Sequence, residues 1–144
     1  AEFQVCHVCG QGKMQADLTS IPGYTRWEYV DAELPHLLAM ADIVVSRAGA
    51  TTLFELLALK KANILIPLSR RASRGDQILN ARSFEKQGFS YVIPEEQLTV
   101  NALLAGMTAT YSRRTAIIAA MNATTSVNGV DNVLTVIERY STPI

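Results

Sequence analysis

The chain has 144 residues, 49% of them apolar and 18% charged, a composition that fits one ordinary globular domain with its own core and is too short for two domains of usual size. Thirteen basic residues cancel thirteen acidic ones, so no whole-molecule field favours nucleic acid and any anion site has to be local. No apolar run reaches the roughly 18 to 20 residues that cross a bilayer, and no signal peptide is recognisable. The start, "AEFQVCHVCG", has no methionine. It reads as cut from a longer protein, with Ala1 to Phe3 open to being a cloning remnant.

Taken in chain order, short β-rich runs alternate with longer amphipathic ones, the pattern of βα units on a parallel sheet. The first strand, Gln4 to Val8, leads into a glycine-containing turn, Cys9 to Lys13, suited to an anion or simply to a turn. Cys6 and Cys9 form a C-x-x-C spacing, but side chains three apart on a strand point to opposite faces, so buried free thiols are expected rather than a redox or metal pair. A short helix is expected over Lys13 to Leu18, a strand over Thr25 to Tyr29 and a helix over Glu33 to Met40. His7 and His36 have no nucleophile or second ligand at metal spacing and read as structural. Strands follow at Ile43 to Ser46, Asn63 to Pro67 and Ser90 to Ile93. Helices are expected over Thr51 to Leu59, Asp76 to Gln87, Gln97 to Thr110, Arg113 to Met121 and Val130 to Tyr140. The last carries a regular stripe, Val130, Val133, Leu134, Ile137 and Tyr140, that suits packing on the domain's own sheet. Five strands each followed by a helix imply an α/β fold, a Rossmann-like open parallel sheet with helices on both faces.

In such a sheet ligands sit beyond the carboxyl ends of the strands, where loops enter helix N-termini. The polar loops there are "SRAGATT" and "LSRRASRGDQ". In the first, Gly49 offers backbone angles closed to other residues and lets a ligand approach the main chain. The helix from Ala50 then presents unpaired N–H groups and the positive end of its dipole, with the Thr51 and Thr52 hydroxyls beside them, which suits a phosphate. It is neither a P-loop nor G-x-G-x-x-G. Thr51, Thr52 and Glu55 share one face of an otherwise apolar helix. Glu55 then has two readings: a ligand contact, or the acidic member of a capping box with Thr52 as N-cap. In the second loop, Arg70, Arg71 and Arg74 precede a helix opening with Asp76, Gln77 and Asn80. Three carboxylate or amide side chains at a helix start suit a polyhydroxylated ligand, while capping by Ser73 or Asp76 with solvated arginines explains the same residues.

Both segments together, "ADIVVSRAGATTLFELLALKKANILIPL" and "SRGDQILNARSFEKQG", resemble the C-terminal, donor-binding domain of the MurG family of bacterial peptidoglycan glycosyltransferases. The likeness runs from about Gln4 to the last helix. It rests on the Gly-Ala-x-Thr helix start, the glutamate six residues after the glycine, and an acid/amide-Gln-x-x-Asn-Ala helix start. It implies the GT-B fold, in which two Rossmann-like domains face a cleft, and an inverting transfer of N-acetylglucosamine from its UDP donor to the undecaprenyl-diphospho-muramoylpentapeptide lipid, making lipid II. By the same likeness, Ala50, Thr51 and Thr52 hold the diphosphate, Glu55 accepts from the ribose hydroxyls, and Asp76 and Gln77 read the sugar hydroxyls with Asn80 on the same face. The Val30 backbone reads the uracil edge, and Arg47 stands at the mouth of the site.

Where several family members have Gln-Gln, this sequence has Asp76-Gln77, so the first sugar contact is an acidic acceptor. The resemblance implies no cofactor, no obligatory metal and no catalytic residue within these residues. It implies a single UDP-sugar-binding domain over residues 1–144, partnered by a missing N-terminal domain that holds the lipid acceptor. The whole enzyme would be cytoplasmic and peripheral on the inner face of the plasma membrane. The domain alone is expected to bind donor weakly and to turn nothing over. Other acceptors on the same fold (a diacylglycerol glucosyltransferase, a UDP-sugar epimerase) and a non-catalytic subunit of a split transferase are the alternatives.

Overall fold

The computed structural model describes residues 3–14 and 21–124 and divides the chain into two units, Ala1–Ala41 and Asp42–Ile144. The expected final helix, Val130 to Tyr140, lies outside the described residues, as does most of the expected short helix from Lys13; Lys13 and Met14 are described and are not helical.

In the first unit, β1 (Val5–Val8) and β2 (Tyr24–Trp27) run parallel, in register from Val5 opposite Tyr24 to Val8 opposite Trp27. The ladder is prolonged at both ends, by Val5 N–H to the Gly23 carbonyl at 2.7 Å and Cys9 N–H to the Trp27 carbonyl at 2.8 Å. The glycine-containing segment after β1 is a turn, closed by Lys13 N–H on the Gly10 carbonyl at 3.1 Å, with Gly10 and Gly12 at positive φ. Helix α1 (Leu34–Met40) has a proline in its first turn, where a missing N–H costs nothing. The thiols differ from expectation: both cysteines are free, but Cys6 is exposed and Cys9 half-buried. Val8 ends the strand, so Cys9 lies past it, 3.7 Å from His7 Nδ1. His7 is structural as expected, its Nδ1 sharing a 2.6 Å hydrogen bond with the Tyr24 hydroxyl.

The second unit is a three-stranded parallel sheet, β3 (Val44–Ser46), β4 (Asn63–Leu65) and β5 (Ser90–Val92), in the order β3-β4-β5. The five described strands thus form a pair in the first unit and a triplet in the second. Apolar runs mark where strands form, but the choice of neighbour is made by backbone pairing that no local pattern encodes. Every residue of β4 is buried, as in a parallel strand covered on both faces. Its period of two sends Leu65 into one cluster with Ala48, Leu53, Leu57, Ala81, Phe84, Phe89, Ile117 and Met121, and Ile64 and Ile66 into another with Ile93. Helix α2 (Ala50–Ala58) contributes Leu53, Leu56 and Leu57, one face at i, i+3 and i+4. Each fully buried leucine is worth roughly 1.5–3 kcal/mol. Helix α3 (Asp76–Lys86) contributes Ala81 and Phe84.

Helix α4 runs unbroken from Val100–Asn122, where two helices separated at Tyr111 and Ser112 were expected. Within α4 the Ser112 hydroxyl donates to the Thr108 carbonyl one turn back, at 2.8 Å, which satisfies it without leaving the helix. Arg114 stacks over the Tyr111 ring, 4.0 Å from its centroid, and donates to the Tyr111 carbonyl. These contacts span the gap between the two expected helices. Gly106 lets α4 lie close to the sheet: a Cβ there would meet Ile93 Cδ1 at 3.1 Å and Tyr91 Cε1 at 3.2 Å.

Thr110, also on α4, is 1% exposed, and its hydroxyl has no partner among the described residues. Burying such a group without a hydrogen bond is costly, so Thr110→Val, which keeps the shape, should be neutral or stabilise the chain by about 1 kcal/mol. Chemical denaturation measures this, and a loss above that size would show that the hydroxyl has a partner.

Candidate functional site

The three loops at the carboxyl ends of β3, β4 and β5 converge on the starts of α2 and α3. Helix α2 opens at Ala50 with Gly49 as its N-cap, and no side chain caps it. The first bond within it is Leu53 N–H to the Gly49 carbonyl at 3.0 Å. The N–H groups of Ala50, Thr51 and Thr52 are thus left without intrahelical acceptors, at the positive end of the helix dipole.

This start excludes the capping-box reading of Glu55. A capping box needs Thr52 outside the helix, and Thr52 is its third residue. Glu55 therefore sits in the second turn, exposed, and its carboxylate has no hydrogen bond or ion pair among the described residues. The capping reading fails because N-cap position depends on where the backbone turns helical, which a two-residue pattern does not fix. Gly49 also departs from expectation. Its φ of −69° and ψ of 140° are open to any residue, and nothing lies within 4 Å of where a Cβ would stand. What the glycine provides is open space in front of the unpaired N–H groups, not a special backbone angle.

Helix α3 is capped by Gly75 in the left-handed region, φ 93°, where a side chain would be strained. Neither Ser73 nor Asp76 caps it: the Ser73 hydroxyl accepts from Gly75 N–H at 3.3 Å. Asp76 is exposed. Gln77 and Asn80 are partly occupied with the protein's own backbone. Gln77 Oε1 accepts from Leu68 N–H at 3.1 Å, which leaves its Nε2 donors. Asn80 Nδ2 donates to the Ala48 carbonyl at 3.1 Å, tying α3 to the loop that precedes Gly49. Arg47 and Gly49 lie on the β3–α2 connection and Ala50, Thr51, Thr52 and Glu55 on α2 itself, and Asn80 joins that connection to α3. Val30 belongs to the first unit, where it is 9% exposed in the segment after β2. Arg70, Arg71 and Arg74 have no ion pair among the described residues.

One residue escaped the reading of the sequence. Glu95 follows β5 in a short 3₁₀ turn, Glu95–Gln97. Its Oε1 takes Arg47 Nη1 at 2.8 Å, and its Oε2 accepts from Ser69 N–H at 2.9 Å. The acidic pair of "PEEQ" was the available signal, since it too lies just past a strand's carboxyl end. The Ser69 N–H and then the Arg47 guanidinium hold the Glu95 carboxyl below the usual carboxylate range. With the folded pKa depressed, this contact contributes stability above the unfolded carboxylate pKa and loses it as pH falls through the folded value. The Ser69 amide resonance should titrate with a midpoint below the roughly 4.3 of an ordinary glutamate. A midpoint at or above that value would contradict the bond.

Two clefts are found among the described residues. One of about 170 Å³ is lined by Ser90, Thr110 and Arg113, and one of about 210 Å³ by Pro67, Ser69, Ile78, Arg82 and Glu95. Neither of these two includes the first turn of α2 or Glu55. Among the described residues no cluster of metal-ligating side chains is found, and no helix is long and apolar enough to cross a membrane.

Residues 1–135 match the glycosyltransferase family 28 C-terminal domain. The chain belongs to this family. Named relatives agree. The family 28 domain is 48% identical over 98% of its length to the UDP-N-acetylglucosamine–N-acetylmuramyl-(pentapeptide) pyrophosphoryl-undecaprenol N-acetylglucosamine transferase of Clostridium tetani. It is 52% identical over 94% of its length to the protein of the same name from Lachnoclostridium phytofermentans. It covers 39% and 38% of those two proteins, so it spans about two fifths of the curated relatives that it matches. Among solved structures it resembles MurG of Acinetobacter baumannii, with TM-score 0.73 and 21% identity over 93% of this chain and 40% of that one. It also resembles the glycosyltransferase of kitacinnamycin, with TM-score 0.66 and 21% identity over 93% and 34% of the two chains. The fold of the family 28 domain is accordingly that of a GT-B C-terminal domain, as its sequence implied.

Proposed function

We propose that this domain is the donor half of an inverting N-acetylglucosaminyltransferase, binding UDP-N-acetylglucosamine beyond the carboxyl ends of its strands. The observation that carries the reading is the pairing of two unsatisfied features on one helix: the free N–H groups of Ala50, Thr51 and Thr52 and the exposed, unpartnered carboxylate of Glu55 one turn on. The first suits a diphosphate. The second suits a vicinal diol, because an ionised carboxylate only accepts and its two oxygens meet two hydroxyl donors. A nucleoside diphosphate carries both groups in that order, and the UDP-N-acetylglucosamine in the relatives' names supports that choice of donor.

In this reading Glu55 holds the ribose hydroxyls. Asp76 offers the exposed acceptor to the sugar, and Gln77 offers its remaining Nε2 donors, its oxygen being taken by Leu68. Asn80 acts from behind, fixing Ala48. An acceptor hydroxyl attacks the anomeric carbon from the face opposite the diphosphate, and the bond from that carbon to the diphosphate oxygen breaks. The charge that develops on UDP is met by the helix N-terminus and by Arg47. The acceptor domain and the base that takes the hydroxyl proton belong to the remainder of a protein more than twice this length. We infer that the whole enzyme works at the cytoplasmic face of a membrane; the undecaprenol in the relatives' names supports contact with lipid through the full-length protein.

The test is transfer by the full-length protein from UDP-N-acetylglucosamine and from UDP-glucose to an undecaprenyl-diphospho-muramoylpentapeptide analogue, read by mass spectrometry. Transfer from the first donor alone is expected. Equal use of both, transfer only to diacylglycerol, or epimerisation of the donor without acceptor would each overturn the reading.

A further inference from the structure

The carboxyl edge of the three-stranded sheet is held together by one side chain outside the expected site. Glu95, after β5, reaches Arg47 after β3 through Oε1 at 2.8 Å and the main chain of Ser69 after β4 through Oε2 at 2.9 Å. The same Nη1 of Arg47 also donates to the Ile66 carbonyl at 3.2 Å. A guanidinium is planar, so pinning one terminal nitrogen on two acceptors fixes the plane and with it the direction of the remaining donors. Those donors, Nε and Nη2, have no partner among the described residues, and the Arg47 side chain stays 48% exposed. Arg47 also stands two residues before Gly49, the cap of α2.

We propose that Glu95 is a positioning residue for the donor: it holds Arg47 by Nη1 so that Nε and Nη2 are presented to the diphosphate arriving at the α2 N-terminus. The inference rests on the donor-binding reading above and adds to it a residue that touches no ligand. Its opposite, that Glu95 neutralises Arg47 and so competes with the anion, predicts the reverse effect on affinity. Charge alone does not choose between them, since an exposed ion pair is weak. The geometry does, because only one nitrogen of Arg47 is spent on Glu95 and the other two are left.

The test is UDP and uridine titration, by nuclear magnetic resonance, of the 144-residue chain as wild type, Glu95→Gln, Arg47→Ala and the double variant. If Glu95 acts through Arg47 on the diphosphate, Glu95→Gln should raise the UDP dissociation constant about threefold or more and leave uridine unchanged. It should add nothing in the Arg47→Ala background, the signature of coupled residues. Unchanged or tighter UDP binding by Glu95→Gln, or equal weakening of uridine, overturns the proposal. Should Glu95→Gln not fold, Glu95→Asp, which keeps the charge but is too short to span both partners, supplies the same comparison. Absence of UDP binding by the wild type would instead overturn the donor reading, a result distinct from wild-type binding that the Glu95 variants leave untouched.

Discussion

Replacing Glu55 with alanine should weaken donor binding by about tenfold to a hundredfold and leave the stability of the chain within about 0.5 kcal/mol of wild type. The first figure follows from the roughly 1.5–3 kcal/mol carried by hydrogen bonds to a charged group and the tenfold change that each 1.4 kcal/mol brings. The second follows from position. Glu55 is exposed, has no side-chain partner among the described residues, and lies past the first turn of α2, where capping and dipole contributions have faded. Glu55→Gln keeps one acceptor oxygen and should fall between. The donor KM of the full-length enzyme and a urea melt of this chain read the two quantities separately. A variant that melts earlier but keeps its KM would restore a structural role for Glu55.

Gly49→Ala should do the same from the other side of the helix start. A residue of unstrained φ gains about 0.4–1 kcal/mol when glycine becomes alanine, while alanine is a poorer N-cap by a similar amount. The two offset, and the added Cβ meets no atom within 4 Å. The folded chain should therefore be indifferent to within about 1 kcal/mol. A diphosphate bound to the N–H groups of Ala50 to Thr52 would lie against that Cβ, and displacing a bound group by about an ångström costs as much as a hundredfold in rate. Loss of donor affinity with an unchanged melt is expected. Unaltered affinity would mean that no ligand approaches this turn.

Much of this molecule was legible in its sequence for reasons that can be named. The strands Val44–Ser46, Asn63–Leu65 and Ser90–Val92 announce themselves as short apolar or β-branched runs between breakers. The helix faces follow from the spacing of Leu53, Leu56 and Leu57. The rule that ligands gather beyond strand carboxyl ends pointed to the edge where the uncapped start of α2 stands. What was not legible depends on contacts between distant residues. The bonds from Gln77 to Leu68 and from Asn80 to Ala48 turn two expected sugar readers partly into braces. Glu95 reaches Arg47 across the sheet, a pairing that no local window contains. The continuity of α4 through Tyr111 and Ser112 joins two helices that were expected to be separate, and their side chains find partners within the helix itself. The capping box failed by a shift of a few residues in where α2 begins.

If the start of α2 and Glu55 form a nucleotide site, backbone amide shifts of the 144-residue chain will respond to titration with UDP and UDP-N-acetylglucosamine. Both ligands should move the amides from Gly49 to Glu55, and the sugar nucleotide should add changes at Asp76 and Gln77. Saturating ligand that leaves Gly49 to Glu55 unmoved would contradict the account.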